Sequence, residues 1–122
     1  MNFVVFSLGS NSDNKELMMQ ACVDWMREVL NDVKVSQIYE TKALNGIDND
    51  YMNAVLSGYT NEEYDDIVRS MKRYEIQSGR TKESKLKGVI PIDVDVVMWN
   101  DKIMRNNDYI QSYFQIGWNE IK

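Results

Sequence analysis

The sequence predicts an α+β domain in which two helices cover one face of a four-stranded antiparallel sheet. Three observations lead there. Four β-rich runs and two amphipathic stripes follow one another in the order βαββαβ. The runs at 51–59 and 90–99 alternate with a period of two, as strands buried on one face do. A chain of 122 residues, 43% of them apolar, suits one domain with one core, so residues 1–122 are read as a single unit.

Residues 2–8 (NFVVFSL) are almost continuously apolar, which suits a central strand covered on both faces. Turn formers from Gly9 to Asn14 end it, and Asp13 with Glu16 has the spacing of a helix-opening box. From 15 to 31 the stripe Met18, Cys22, Trp25 and Val29, broadened by Met19, Val23, Met26 and Leu30, predicts a helix packed by that face. Residues 33–40 (VKVSQIYE) predict a strand whose alternation slips near Ile38, where a bulge is expected. A polar loop follows, and then a strand over 51–59 with Met52, Ala54 and Leu56 on one face. Tyr51, Asn53, Val55 and Ser57 fall on the other.

Thr60 to Glu63 again has capping-box spacing, and the helix after it carries Tyr64, Ile67, Val68, Met71 and Tyr74 on one side, stopping near Gly79. Residues 90–99 (IPIDVDVVMW) form the last clear strand, with Ile92, Val94, Val96 and Met98 expected toward the helices. Residues 108–122 fit a short strand or a frayed helix, with Trp118 against the core. Both helices on one face make the ferredoxin-like arrangement, which leaves the other sheet face open for a ligand.

Composition removes whole classes of chemistry. The chain has no histidine, which excludes histidine acid–base catalysis, His-containing triads and zinc held by imidazole. The lone Cys22 excludes an internal disulfide and thiolate clusters, and fits a reducing compartment; the cytoplasm is the expected location. No signal-like start is visible, and no apolar run approaches the roughly 20 residues that cross a bilayer. A net charge of −5 argues against nucleic acid as a partner. The segment from Arg69 to Lys87 is basic nonetheless, and its loop Gly79–Gly88 holds Arg80, Lys82, Lys85 and Lys87, a candidate polyphosphate site.

The strand alternation makes Asp93 and Asp95 project together from the sheet face opposite the helices, about 7 Å apart. Side-by-side carboxylates repel unless a cation lies between them, and Mg²⁺ takes one or two carboxylates while leaving positions for phosphates. Tyr51 and Asn53 share that face, an aromatic ring beside an amide, suited to stacking a flat heterocycle and bonding its edge.

Five ordered pieces then resemble one family. Ser7-Leu8-Gly9-Ser10-Asn11, Ile38-Tyr39-Glu40-Thr41, Tyr51-Met52-Asn53-Ala54-Val55, Glu75 through Gly79-Arg80, and Ile92-Asp93-Val94-Asp95 look like the signatures of 6-hydroxymethyl-7,8-dihydropterin pyrophosphokinase. The resemblance implies a ferredoxin-like core and transfer of pyrophosphate from ATP to the pterin, with two Mg²⁺ ions and release of AMP, a step of folate synthesis. It implies Asp93 and Asp95 as metal ligands, with Arg80 catalytic beside them. It further implies Thr41, Ala43, Leu44, Tyr51 and Asn53 around the pterin, and Glu75, Arg80 and Lys82 around ATP, where Lys85 and Lys87 are the candidates to replace lost arginine charge. Tyr113 or Phe114 is the candidate second stacking ring.

The chain also departs from the family pattern. An Arg-Trp-Gly-Pro-Arg stretch is replaced by Leu86-Lys87-Gly88-Val89-Ile90, and a Thr-Pro-Pro segment by Thr41-Lys42-Ala43. The Pro-His-Pro segment after the last strand is missing, and residues 106–112 make a shorter connection. Lysines do not reproduce the bidentate geometry of arginine. Three readings therefore stand side by side: an active pyrophosphokinase, a catalytically impaired relative that binds nucleotide, pterin or a protein partner, and a phosphotransferase for another planar alcohol.

Overall fold

The chain runs β1 (Asn2–Ser10), α1 (Lys15–Val29), β2 (Asn31–Val35), β3 (Tyr39–Thr41), β4 (Tyr51–Thr60), α2 (Tyr64–Gln77), α3 (Lys82–Leu86), β5 (Asp93–Trp99), β6 (Lys102–Ile103), α4 (Asn106–Tyr109) and α5 (Ser112–Ile121) in a computed structural model that describes residues 1–122. The apolar run of β1 is the middle of an antiparallel sheet ordered β2-β4-β1-β5-β6, with β3 also paired to β4. Both faces of β1 are buried, as its unbroken apolar sequence requires. The βαββαβ core and the α+β class match the sequence reading, while the sheet has six strands instead of four.

One of the extra strands comes from the expected slip before Ile38; the other is the short β6. The predicted strand 33–40 is two pieces, β2 and β3, separated at Ser36. There the Ser36 N–H donates to the Val55 carbonyl (2.9 Å), and the Ser36 hydroxyl oxygen accepts the Val55 N–H (2.9 Å). A side chain thus replaces one rung of the ladder and lets the backbone turn out of phase without leaving a buried donor unpaired.

The main core lies between the sheet and helices α1 and α2, around Phe6, Leu8, Met19, Met26, Leu56 and Met71. Cys22 is fully buried in it. Trp25 and Tyr74 stack at 4.2 Å between ring centroids and join the two helices. A second, smaller cluster of Val5, Val55, Val97 and Phe114 lies on the other face, where α5 packs across β4. Residues 112–121 are therefore a helix, with Trp118 against this cluster. The second face is not wholly open: α5 takes one end of it, and only the other end is left for a ligand.

Three local expectations are corrected. The alternation in β5 holds through Val96 and then slips, because Val5 pairs with Met98 and Phe6 with Val96, leaving Val97 as the extra residue of a bulge. Met98 thereby joins the second cluster, while Trp99 swings to the helix side, edge-on to Tyr64. Asp13 does not cap α1; Asn14 is the capping position, and its side-chain oxygen accepts a bond from the Ser12 hydroxyl (2.8 Å). Thr60 bonds the Glu62 N–H (3.1 Å) in a turn, and α2 starts after Glu63 without a side-chain cap. A genuine capping box opens α3, between Thr81 and Ser84. No helix is long and apolar enough to cross a membrane.

Gly117 is where α5 comes closest to the sheet. A Cβ there would lie 2.7 Å from the Val55 side chain and 2.9 Å from both the Ser36 and Tyr39 oxygens. Gly117→Ala is expected to destabilise the fold by about 1–3 kcal/mol, since overpacking outweighs the ~1 kcal/mol gained in helix propensity. A urea melt checks this: the midpoint should fall at unchanged slope.

Candidate functional site

Because the strands are antiparallel, the C-terminal end of β1 meets the N-terminal ends of β4 and β5. Gly9 pairs with Asn53 on one side and Asp93 on the other, and Ser7 with Asp95. A cleft of about 310 Å³ opens over this end of the sheet, bounded by the 42–50 loop and by Asp108 and Tyr113 from the C-terminal helices. A Cβ on Gly9 would sit 3.4 Å from Asn53 Oδ1 and 3.6 Å from the Tyr51 ring, so glycine keeps this floor low.

One end of the cleft suits a flat ring. Tyr51, Tyr113, Asn53, Thr41, Ala43 and Leu44 all line it. Asn53 is buried, and its amide N–H donates to Thr41 Oγ1 at 2.5 Å. Tyr113 is held from two sides: its hydroxyl donates to Asp108, and its carbonyl accepts from the Tyr39 hydroxyl at 2.5 Å. Phe114 is fully buried in the second cluster. Of the two candidate rings, only Tyr113 lines the cleft.

The other end is a cluster of three carboxylates. Glu75 from α2 and Asp93 and Asp95 from β5 each offer an oxygen within 4.8 Å of the others. Glu75 is only 3% exposed and is fully partnered: it accepts the Val94 N–H (2.8 Å), Lys72 (3.3 Å) and Arg80 (3.2 Å). Arg80 also bonds Asp93 at 2.8 Å. Asp95 has Lys72 at 3.3 Å and Arg105 at 3.9 Å, and Arg105 bonds Asp108 in turn.

Burial and the neighbouring Asp93 push the Asp95 carboxyl up to about 7. Burial works the same way on Asp93, but the hydrogen bonds from Asp95 and Arg80 outweigh it and hold Asp93 below the usual carboxylate range. Burial also raises Glu75, against the pull of the Val94 N–H, Lys72 and Arg80. Lys72 loses by burial but gains more from Asp95 and Glu75, so its ammonium is held above the ordinary lysine value. The two aspartates thus favour sharing one proton while no divalent ion lies against them.

Of the residues singled out from sequence, Thr41, Ala43, Leu44, Tyr51, Asn53, Asp93 and Asp95 meet in this one cleft. Glu75 and Arg80 reach its acid end through the bonds just described. The lysines of the basic loop are placed elsewhere. Lys82, Lys85 and Lys87 lie on or just after the short helix α3, none lines the cleft, and Lys87 pairs with Glu83 at 3.1 Å. Asn11 serves the framework. Its amide donates to the Gly88 carbonyl (2.8 Å) and its oxygen accepts the Ile90 N–H (2.6 Å), fixing the approach to β5. Gly88 sits at φ +72°, and a Cβ there would meet Asp48 at 2.2 Å.

Lys72, Arg105 and Asp108 are site residues that the sequence reading does not single out for the cleft. Lys72 has a usable signal, since it lies three residues before Glu75 and so on the same helix face. Arg105 and Asp108 follow the β6 hairpin, where no periodicity places a side chain.

A model of the family described as 7,8-dihydro-6-hydroxymethylpterin-pyrophosphokinase matches residues 5–122. A 2-amino-4-hydroxy-6-hydroxymethyldihydropteridine pyrophosphokinase of Aquifex aeolicus is 29% identical over 107 residues, covering 86% of this chain and 66% of that protein. A folate synthesis bifunctional protein of Chlamydia muridarum is 32% identical over 109 residues, covering 83% of this chain and 24% of that protein. The chain therefore spans just under two thirds of the first relative's length and a much smaller share of the second's. With the five sequence signatures gathered around one cleft, a match over nearly the whole chain settles the lineage: it belongs to the 7,8-dihydro-6-hydroxymethylpterin-pyrophosphokinase family.

Proposed function

We propose that this protein transfers pyrophosphate from ATP to the hydroxymethyl group of 6-hydroxymethyl-7,8-dihydropterin and releases AMP. The observation that carries the reading is that a ring-binding end and a carboxylate end share one cleft, with Tyr51 and Tyr113 in the first and Asp93 and Asp95 in the second. The donor set suits Mg²⁺: three hard carboxylates each offer an oxygen within 4.8 Å of the others. Asp93 and Asp95 would hold magnesium, two ions being expected per ATP, and the metal would neutralise charge on the phosphate oxygens.

The chain's own residues do the positioning. Tyr51 and Tyr113 hold the pterin ring, and Asn53 is left with its carbonyl oxygen to accept from the ring edge after spending an N–H on Thr41. The backbone of Ala43 and Leu44 borders the same edge. A small, mainly apolar depression of about 40 Å³ lined by Tyr64, Val68, Met71 and Val96 lies on the far side of Asp95, flanked by Lys72 and Arg105, and is the apolar surface assigned here to one edge of the nucleotide base. Arg80, Lys72 and Arg105 then surround the phosphates.

The pterin alcohol oxygen bonds to the β-phosphorus as the bond from that phosphorus to the α,β-bridging oxygen breaks. AMP leaves with the bridging oxygen, and the alcohol proton passes to water. A loose transition state asks mainly for alignment and charge, which these residues supply.

A second reading is a relative that binds the same ligands with little turnover. Two observations favour it: the three α3-region lysines do not line the cleft, and Lys72, Arg80 and Arg105 are already paired with carboxylates. Product analysis with Mg·ATP separates the two. AMP that forms only with pterin present, and drops by about 10²-fold or more in Asp93→Ala, is the expected outcome. Ligand binding without AMP establishes the binding module instead.

Tyr113→Ala is expected to raise KM for the pterin about fivefold with a smaller change in kcat, because ring stacking is worth ~1 kcal/mol in either state. Steady-state kinetics against pterin concentration measure it.

The raised Asp95 pKa also sets a pH dependence. A carboxyl whose pKa is higher in the folded state favours folding when protonated, so this contribution is full below pH ~4 and is lost as pH rises from the ordinary 3.8 toward about 7. In EDTA at pH 8, Asp95→Asn is therefore expected to melt above the parent by ~5 °C. The gain should shrink at pH 4.5, and equal gains at both pH values would contradict proton sharing.

A further inference from the structure

We infer that Lys72 is a tethered cation of the acid site, contesting it with a divalent metal ion and moving onto polyphosphate when nucleotide arrives. The inference rests on the metal–polyphosphate reading of this site and deepens it. Lys72 Nζ lies 3.3 Å from each oxygen of Glu75 and 3.3 Å from Asp95 Oδ1. Three carboxylate oxygens thus surround one ammonium, and two of the three carboxylates that approach one another within 4.8 Å supply them.

Four carboxylates, Glu75, Asp93, Asp95 and Asp108, face three cations, Lys72, Arg80 and Arg105, so the cluster is within one charge of balance without a metal and a divalent ion turns it positive unless a resident cation withdraws. Lys72 is the one free to do so. Arg80 is held by Glu75 and Asp93 and is largely covered, and Arg105 is anchored on Asp108. The Lys72 and Arg105 side chains are about equally exposed, but Lys72 carries a compact charge on a flexible stem and lacks the outside anchor that Asp108 gives Arg105. It also borders the depression on the far side of Asp95, so a short swing takes it from the carboxylates to phosphates lying between the two.

Metal and nucleotide are coupled as a result. Metal alone must displace Lys72 with no compensation, whereas phosphates give the ammonium a new partner, and the coupling acts equally in both directions. The test is Lys72→Met, which keeps the length and removes the charge. At pH 8, Mn²⁺ affinity of the free protein, read from the EPR signal of unbound Mn²⁺, is expected to rise about tenfold. Affinity for a non-hydrolysable ATP analogue at saturating Mn²⁺ is expected to fall about tenfold. Lys72→Arg, which keeps the charge, should leave Mn²⁺ affinity near that of the parent.

Opposite signs are what a merely structural lysine does not produce. If Lys72→Met binds Mn²⁺ no better than the parent, or if both affinities fall together with circular dichroism unchanged, the inference is overturned while the metal site stands. If neither protein binds Mn²⁺ and Asp95→Asn changes nothing, the metal reading fails as well. Lys72→Gln serves as a second neutral variant should the methionine protein fold poorly.

Discussion

Much of this molecule depends on one buried carboxylate. Glu75 comes from the last turn of α2 and ends almost without solvent beneath β5, where an unpartnered charge would cost several kcal/mol. It is tolerated because the Val94 N–H, Lys72 and Arg80 all reach it. Those bonds also fix the helix against the strand at one register, because Val94 sits between the two aspartates. Arg80, brought down by Glu75, lands on Asp93. Helix packing, the placing of the acid pair and the orientation of its nearest arginine therefore follow from satisfying one side chain.

The second constraint is the division of the outer sheet face. Helix α5 buries Phe114 against Val5, Val55 and Val97, and can come that close only because Gly117 presents no side chain to Tyr39 and Ser36. The Tyr39 hydroxyl accepts the Gly117 N–H (3.1 Å) while donating to the Tyr113 carbonyl, so a residue of β3 holds the first turn and the middle of α5 together. The Gln37 N–H adds a bond to Glu120 at 2.8 Å. One helix thus closes a small core and carries Tyr113 to the rim of the cleft. The break at Ser36 serves both purposes, since it turns β3 toward the end of β4 where Asn53 lies.

What can be read in the sequence and what cannot divide along a physical line. Tyr51, Asn53, Asp93 and Asp95 fall on one face because alternation along a strand is a local property, and all four stand on stretches where it is unbroken. The βαββαβ order is equally legible from periods of two and of 3.6. The bulge at Val97 is not, because a register shift belongs to a pair of strands and the β5 sequence reads the same with or without it. The two misjudged helix starts show a similar limit: capping spacing occurs at Asp13 and Thr60, yet the chain direction set by the preceding strand decides which residue becomes the cap. Arg105, Asp108 and the role of Tyr113 depend on where α4 and α5 dock, and docking is a long-range outcome.

The same line separates the basic loop from the cations of the acid cluster. Its lysines are neighbours in sequence, and a run of like charge suggests a common target. The capping box between Thr81 and Ser84 winds residues 82–86 into a helix none of whose lysines lines the cleft. The cations that do reach the carboxylates come one each from three separated places: Lys72 from α2, Arg80 from the turn after it, and Arg105 from beyond β6. Each meets a carboxylate, Arg80 and Arg105 held in place by theirs and Lys72 able to move between partners. Preorganised charge of this kind stabilises a transferring phosphoryl group without the cost of ordering a loop at the moment of reaction. It also limits the proposed site, because every cation spent on a carboxylate would be shared with the phosphates assigned to it. With no loop lysine lining the cleft, the proposed reaction turns on the balance between those two partners.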